Sequence, residues 1–121
     1  MIRTLTIQTP GKGLHEITRE IGRVVSEWGA GGGDEGLCTV FVRHTSCGLV
    51  IQENADPSAR HDLERWFDGV APENDPAYTH TAEGPDDMPS HIRAALTAVS
   101  LSIPIINGRL ALGTWQGVYL F

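Results

Sequence analysis

The sequence predicts an α+β fold with mainly antiparallel strands. Short alternating or β-branched runs stand next to one another at 37–43 and 48–52, and again through the last twenty or so residues, with no helical segment between them. Strands that are neighbours in sequence pair as antiparallel ribbons, whereas parallel pairing needs a crossover of about a dozen residues or more. Between these runs lie segments of helical period, giving the order β-α-β-β-α-loop-α-β-β-β. The length of 121 residues sets one domain, residues 1–121, able to bury roughly two thirds of its unfolded surface.

Each element has a local reason. In residues 2–8, Ile2, Thr4, Thr6 and Gln8 alternate with Arg3, Leu5 and Ile7, which predicts a first strand. Pro10, Gly11 and Gly13 turn the chain. Leu14, Ile17, Ile21, Val24, Val25 and Trp28 recur at helical spacing, so 14–28 reads as an amphipathic helix. The glycine-rich GAGGGDEG ends it as a surface loop. LCTVFVR at 37–43 and GLVIQ at 48–52 are strands joined through HTSC. Asp56 before Pro57 is a helix start, an N-cap followed by a proline that needs no N–H partner. Leu63, Trp66, Phe67 and Val70 form that helix's predicted buried stripe. APENDPAYTHTAEGPDD is a long polar loop, a kind that in small domains is functional or disordered. A third helix starts at Asp87–Ser90 with Pro89 in its first turn, and Ile92, Ala95, Leu96 and Val99 are its apolar face. The remainder reads as two or three strands around an Asn-Gly turn and glycine turns. The pattern breaks off in mid-strand after VYLF, and a short charged tail is expected beyond Phe121.

Composition excludes several functions. Net charge is −6 and Lys12 is the one lysine. Nucleic acid needs clustered Lys and Arg, so it is not an expected partner, and Schiff-base or P-loop lysine chemistry has little to work with. No apolar run reaches membrane-spanning length, and the start of the chain lacks the apolar region of a signal peptide. Cys38 and Cys47 are too few for a disulfide scaffold and read as reduced thiols of a cytoplasmic protein.

The chemistry-bearing residues form three groups. The first flanks the strand at 48–52: His44, Thr45, Ser46 and Cys47 before it, Asn54 and Asp56 after it. Alternation puts Cys38, Val40, Val42 and His44 on one strand face, so His44 stands at the lip of the core side. The second is YTHTAEGPDDMPSH, with His80, Glu83, Asp86, Asp87 and His91. Asp87 and His91 sit at a helix N-terminus, where free N–H groups favour anions; Asp87 also suits a plain helix cap, and both histidines suit solvated positions. His44, His80 and His91 with a carboxylate are the inventory of a zinc or related metal site, although their spacing matches no standard motif. The third group is GTWQG, where Thr114 and Gln116 share a strand face and offer a hydroxyl and an amide; glycine-marked bulges with exposed polar residues explain that string equally well. Ser46 or Cys47 beside His44 is a weak nucleophile signal without known geometry.

HTSCGLVIQENADP, EGPDDMPSHI and IPIINGRLALGTWQGVYL together resemble the small YjbQ-like proteins, also called secondary thiamine-phosphate synthases, and the likeness runs nearly end to end. The resemblance implies two packed antiparallel sheets with about three helices, and a homotrimer with pockets near subunit boundaries. It implies shared polar positions at His44, Thr45, Ser46, Asn54, Asp56, His80, Asp87, His91, Thr114 and Gln116. Cys47 stands where many members of that family carry a small apolar residue, which counts against a nucleophile there. The implied reaction joins a pyrimidine methyl diphosphate to a thiazole phosphate.

Two functional expectations result. In the first, the protein is a trimeric enzyme acting on a small anionic substrate. His44, His80, His91 and Asp87 form its catalytic centre, with the histidines as ligands of zinc, magnesium or another divalent ion, or as general acid and base without one. Thr45, Ser46, Asn54, Asp56, Thr114 and Gln116 orient the substrate. In the second, the same pocket holds a metal or an anionic metabolite without turning it over, as a regulatory trimer.

Overall fold

A computed structural model describes all 121 residues. In chain order the elements are β1 (His15–Glu16), α1 (Thr18–Ala30), β2 (Gly36–Phe41), β3 (Leu49–Glu53), α2 (Pro57–Val70), α3 (Asp87–Leu96), β4 (Ser100–Ile106), β5 (Arg109–Leu110) and β6 (Gln116–Leu120). They form two three-stranded sheets, ordered β1-β6-β3 and β2-β4-β5. Every pairing is antiparallel. The α+β class with antiparallel pairing is the one the sequence pattern predicts, and two such sheets with three helices match what the family resemblance implies.

The core joins the two sheets through α1. Ile17, Ile21 and Val25 of α1 and its entry meet Leu49 of β3, Ile103 and Ile105 of β4 and Val118 of β6. Each strand supplies this core by alternation. In β2 and β4, Cys38, Val40, Leu101, Ile103 and Ile105 face inward. The turn from β4 to β5 is the Asn-Gly pair, with φ of 53° at Asn107 and 73° at Gly108. Those are the left-handed values that a two-residue hairpin turn requires.

The outer face of the β2-β4-β5 sheet is uncovered. Leu37 pairs with Pro104, Thr39 with Ser102 and Phe41 with Ser100, and all six are exposed together with Ile106. None of the seven carries a charge, in a chain whose residues are 20% charged.

Four sequence expectations change. Residues 2–8 form no strand: only Ile7 packs against the core, and Arg3 pairs with Glu27 of α1. Alternation predicts a strand's shape but not a partner for it. The first helix begins at Thr18 rather than at 14, because His15–Glu16 pairs with β6 instead. Helix α2 starts where predicted, Asp56 accepting from the Ser58 N–H at 2.9 Å, but it has no buried residue, and Trp66 and Val70 of its apolar stripe are exposed. In α3 the buried residues are Pro89, Arg93 and Ala94, while Ala95, Leu96 and the following Val99 lie outside.

Candidate functional site

Helix α3 is held against the HTSC turn by main-chain bonds just past its end. The Leu49 N–H donates to the Ala98 oxygen at 2.6 Å, and the Ala98 N–H donates back at 3.1 Å. Gly48 makes this approach possible. A Cβ there would run into the side chain of Thr97, whose hydroxyl is tied to the Arg93 oxygen. With α3 so placed, the main-chain oxygen of Thr45 accepts from His91 Nδ1 at 2.9 Å.

That bond sets the chemistry of His91. A carbonyl oxygen only accepts, so Nδ1 carries a proton. In the neutral ring Nε2 is then a lone pair, and it faces Asp87 Oδ2 at 3.1 Å. His80 Nε2 reaches the same oxygen at 2.7 Å, and the two imidazoles stand 5.3 Å apart between centroids. Two lone pairs turned toward each other need a cation between them, either a second proton on His91 or a metal ion. The Asp87 carboxyl is held below the usual carboxylate range, first by the hydrogen bond from His80; burial opposes this next, and the charge and hydrogen bond of His91 then add to the lowering.

One ligand atom from each of His80, Asp87 and His91 can be chosen so that all lie within 4.8 Å of one another. Tetrahedral zinc with bonds of about 2.0–2.1 Å keeps its ligands roughly 3.3 Å apart, so small side-chain shifts suffice. The Nδ1 bond to Thr45 is the outer support that metal-bound histidines characteristically have. Two imidazoles favour zinc or a similar transition metal over magnesium, which prefers oxygen ligands. Part of this set was legible in sequence, because Asp87 and His91 are four apart on a helix and share a face. The main-chain oxygen of Thr45 leaves no sequence signal.

The other expected site residues are placed elsewhere. His44 lies outside the three-ligand cluster within one chain. Its Nδ1 accepts the Ser46 N–H at 2.9 Å, and it lines an open hollow with Phe41, Val42, Arg43, Thr45 and Val99. Asn54 and Gln116 stand at the far end of β3, five strand residues or about 16 Å from the Thr45 end. There the Asn54 amide donates to Glu16 Oε2 at 3.0 Å, the Thr18 hydroxyl donates to the same oxygen at 2.8 Å, and the Val118 N–H donates to that hydroxyl at 2.9 Å. This is a brace joining β1, the end of β3 and β6. Gln116 Oε1 accepts the Gly113 N–H at 2.7 Å and closes its own turn. Asp56 is engaged as a helix cap, and Thr114 is exposed in the turn before β6. Cys38 and Cys47 are unpaired and half-buried, and burial pushes both thiols up, away from nucleophilic thiolates.

The fold and site together define a small α+β protein of two three-stranded sheets, with a histidine–carboxylate cluster where α3 meets the turn before β3. The chain belongs to the family described as UPF0047 protein YjbQ-like, which matches residues 3–121. It is 56% identical over 117 residues to UPF0047 protein sll1880 of Synechocystis, covering 97% of this chain and 78% of that one. To the YjbQ protein of Salmonella typhimurium it is 46% identical over 118 residues, covering 98% and 83%. Its fold is similar to the crystal structure of the conserved hypothetical protein TT1486 from Thermus thermophilus, with a TM-score of 0.84 and 39% identity over 96% of this chain and 85% of that one. A YjbQ/UPF0047 protein of Clostridium acetobutylicum is similar with a TM-score of 0.78 and 39% identity, covering 88% and 78%. None of these names states a reaction. No helix is long and apolar enough to cross a membrane.

Proposed function

We propose that the protein is a cytoplasmic homotrimeric enzyme whose centre is a divalent transition metal, zinc by the chemistry of its ligands, held by His80, Asp87 and His91. The observation that carries this reading is the convergence of the two imidazoles on Asp87 Oδ2 while His91 is fixed through Nδ1 to Thr45. A zinc ion held by these three residues would have fewer protein ligands than the four of a structural site, as catalytic zinc does. Held by His80, Asp87 and His91, such an ion would supply Lewis acidity toward an anionic group of the substrate. His44 accepts the Ser46 N–H on Nδ1, so when neutral it carries its proton on Nε2 and can donate a hydrogen bond to a group in the hollow it lines.

The thiamine-phosphate synthase reaction is on this reading a secondary activity. Release of pyrophosphate calls for cationic contacts to a diphosphate, and no Lys or Arg lines the cavity beside His80. Trimer formation is supported by the uncharged outer face of the β2-β4-β5 sheet, where Leu37 and Phe41 are each 63% exposed. Large exposed apolar patches mark interaction surfaces. Covering this face would also bring a neighbour to the hollow beside His44, since Phe41 borders both.

Metal analysis of protein purified without chelator tests the centre. About one zinc per chain, lost in both His80→Ala and His91→Ala, supports it. A protein that neither carries nor takes up a metal sinks it. Turnover separates enzyme from regulator: a small phosphate or carboxylate that raises the melting temperature but is recovered unchanged favours the regulatory trimer.

A further inference from the structure

A cavity of about 250 Å³ opens beside the histidine cluster, lined by Asn74, Asp75, Tyr78, His80, Thr81 and Met88 together with Gly84 and Pro85. His80 belongs to both, so whatever its imidazole helps to bind extends into this space. The wall has a definite electrostatic character. It contains one carboxylate, an amide, two hydroxyls, an imidazole and a thioether, and no Lys or Arg. The stretch 71–86 that builds most of it holds Glu73, Asp75, Glu83 and Asp86 and no basic residue other than His80. In sequence the flanking cations are Arg65 and Arg93, and Arg93 is 4% exposed and paired with Asp68 at 3.0 Å. The N-terminus of α3 would attract an anion, but Asp86 and Asp87 already stand there. Tyr78 donates its hydroxyl to the Pro72 oxygen at 2.8 Å, which leaves its ring as a fixed wall.

An anion placed in this cavity would meet the Asp75 carboxylate with no Lys or Arg in the wall to offset it, and a cation would meet a partner of opposite charge. We propose that the substrate is bipartite: its anionic end binds the ion at His80, Asp87 and His91, and its other end carries a cationic nitrogen that enters the cavity and pairs with Asp75. This rests on the metal-centred reading above. The ion's own charge is met by Asp87 and by the substrate's anionic end, so the cavity's negative field acts on the distal group. The sequence-based expectation of an anionic substrate is thereby narrowed to a zwitterionic one.

The test is calorimetric titration of the zinc-loaded protein with phosphoethanolamine and with phosphoglycolate. The two share a phosphate and are similar in length, and they differ in the charge at the far end. The expected result is binding of phosphoethanolamine at least about tenfold tighter. Asp75→Asn, which keeps the acceptor for the Ala77 N–H, is expected to cut that ratio several-fold with zinc stoichiometry unchanged. Equal affinities, a preference for phosphoglycolate, binding of neither probe, or a ratio indifferent to Asp75→Asn each overturn the proposal. Protein that takes up no zinc overturns the metal-centred reading instead, and the same titration of the metal-free protein then decides the cavity's preference by itself.

Discussion

Thr45 and His91 are 46 positions apart in sequence, yet the main-chain oxygen of one accepts a hydrogen bond from Nδ1 of the other at 2.9 Å. This contact determines which nitrogen of His91 is free to act, and it exists because Gly48 lets the end of α3 close on the turn. Gly48→Ala is expected to cost about 1–3 kcal/mol through the forced shift of Thr97 and to lower zinc affinity by roughly tenfold, as loss of an outer support does. Urea denaturation and a zinc competition titration measure the two effects. Lost stability with unchanged zinc affinity would mean that the Thr45 contact does not matter to the site.

Gly117 offers the matched control at the opposite end of β3. A Cβ there would lie 2.7 Å from Glu16 Oε2 and 3.0 Å from Asn54. Gly117→Ala is therefore expected to destabilise by a similar amount, about 1–3 kcal/mol, while leaving zinc affinity unchanged. Weakened zinc binding in this variant would show that the Glu16–Asn54 brace and the histidine cluster belong to one site, as they would if a neighbouring subunit brought them together.

Zinc uptake should decline as pH falls, because both imidazoles must be deprotonated at their ligating nitrogen and binding releases protons. His80→Ala, His91→Ala and Asp87→Asn should each weaken uptake by more than about 100-fold, beyond the roughly 10–100-fold typical of lost outer supports. His44→Ala should leave it intact and impair turnover alone. Loss of zinc in His44→Ala would instead place that residue among the ligands.

Acid stability should report the two carboxyls that the fold holds low. Asp56 is lowered by the Ser58 backbone and side-chain hydrogen bonds, and Asp87 by His80 first. A group whose pKa is depressed on folding stabilises above its unfolded value, about 3.9 for aspartate, and that contribution disappears as pH falls through the folded value. In metal-free protein, Asp56→Asn and Asp87→Asn should thus be less stable than the parent near neutrality and converge on it below about pH 4. Parallel stability curves down to about pH 2 would contradict this.

The uncovered sheet face predicts an assembly state. Light scattering coupled to size exclusion should give three times the 13.1 kDa chain mass for the parent. Phe41→Asp or Leu37→Lys should give the single-chain mass, since a charge buried at an apolar interface is strongly unfavourable. Because both side chains point away from the core, circular dichroism should stay native. A monomeric parent would remove the reason offered for this face.

What the sequence by itself determined was mostly local. The Asp56–Pro57 helix start, the Asn107–Gly108 turn and the inward set Cys38, Val40 and Val42 come from capping, left-handed φ and alternation, which act over a few residues. His80, Asp87 and His91 fall in one polar segment of the sequence, and the helical repeat puts Asp87 and His91 on one face, but His44, grouped with them on chemical grounds, lies outside their cluster. Only the tertiary structure decided the rest. Periodicity shows that Trp66, Leu96 and Val99 form apolar faces, but not whether the core covers them, and here they are left exposed. Alternation in 2–8 describes a strand without naming a partner, and none is taken within the chain. His80 joins Asp87 and His91, while Asn54 and Gln116 go to the other end of β3, because convergence of distant side chains depends on how α3 is pinned to Leu49 and on the path of the long loop. Those are contacts between segments far apart in sequence, and no short-range rule encodes them.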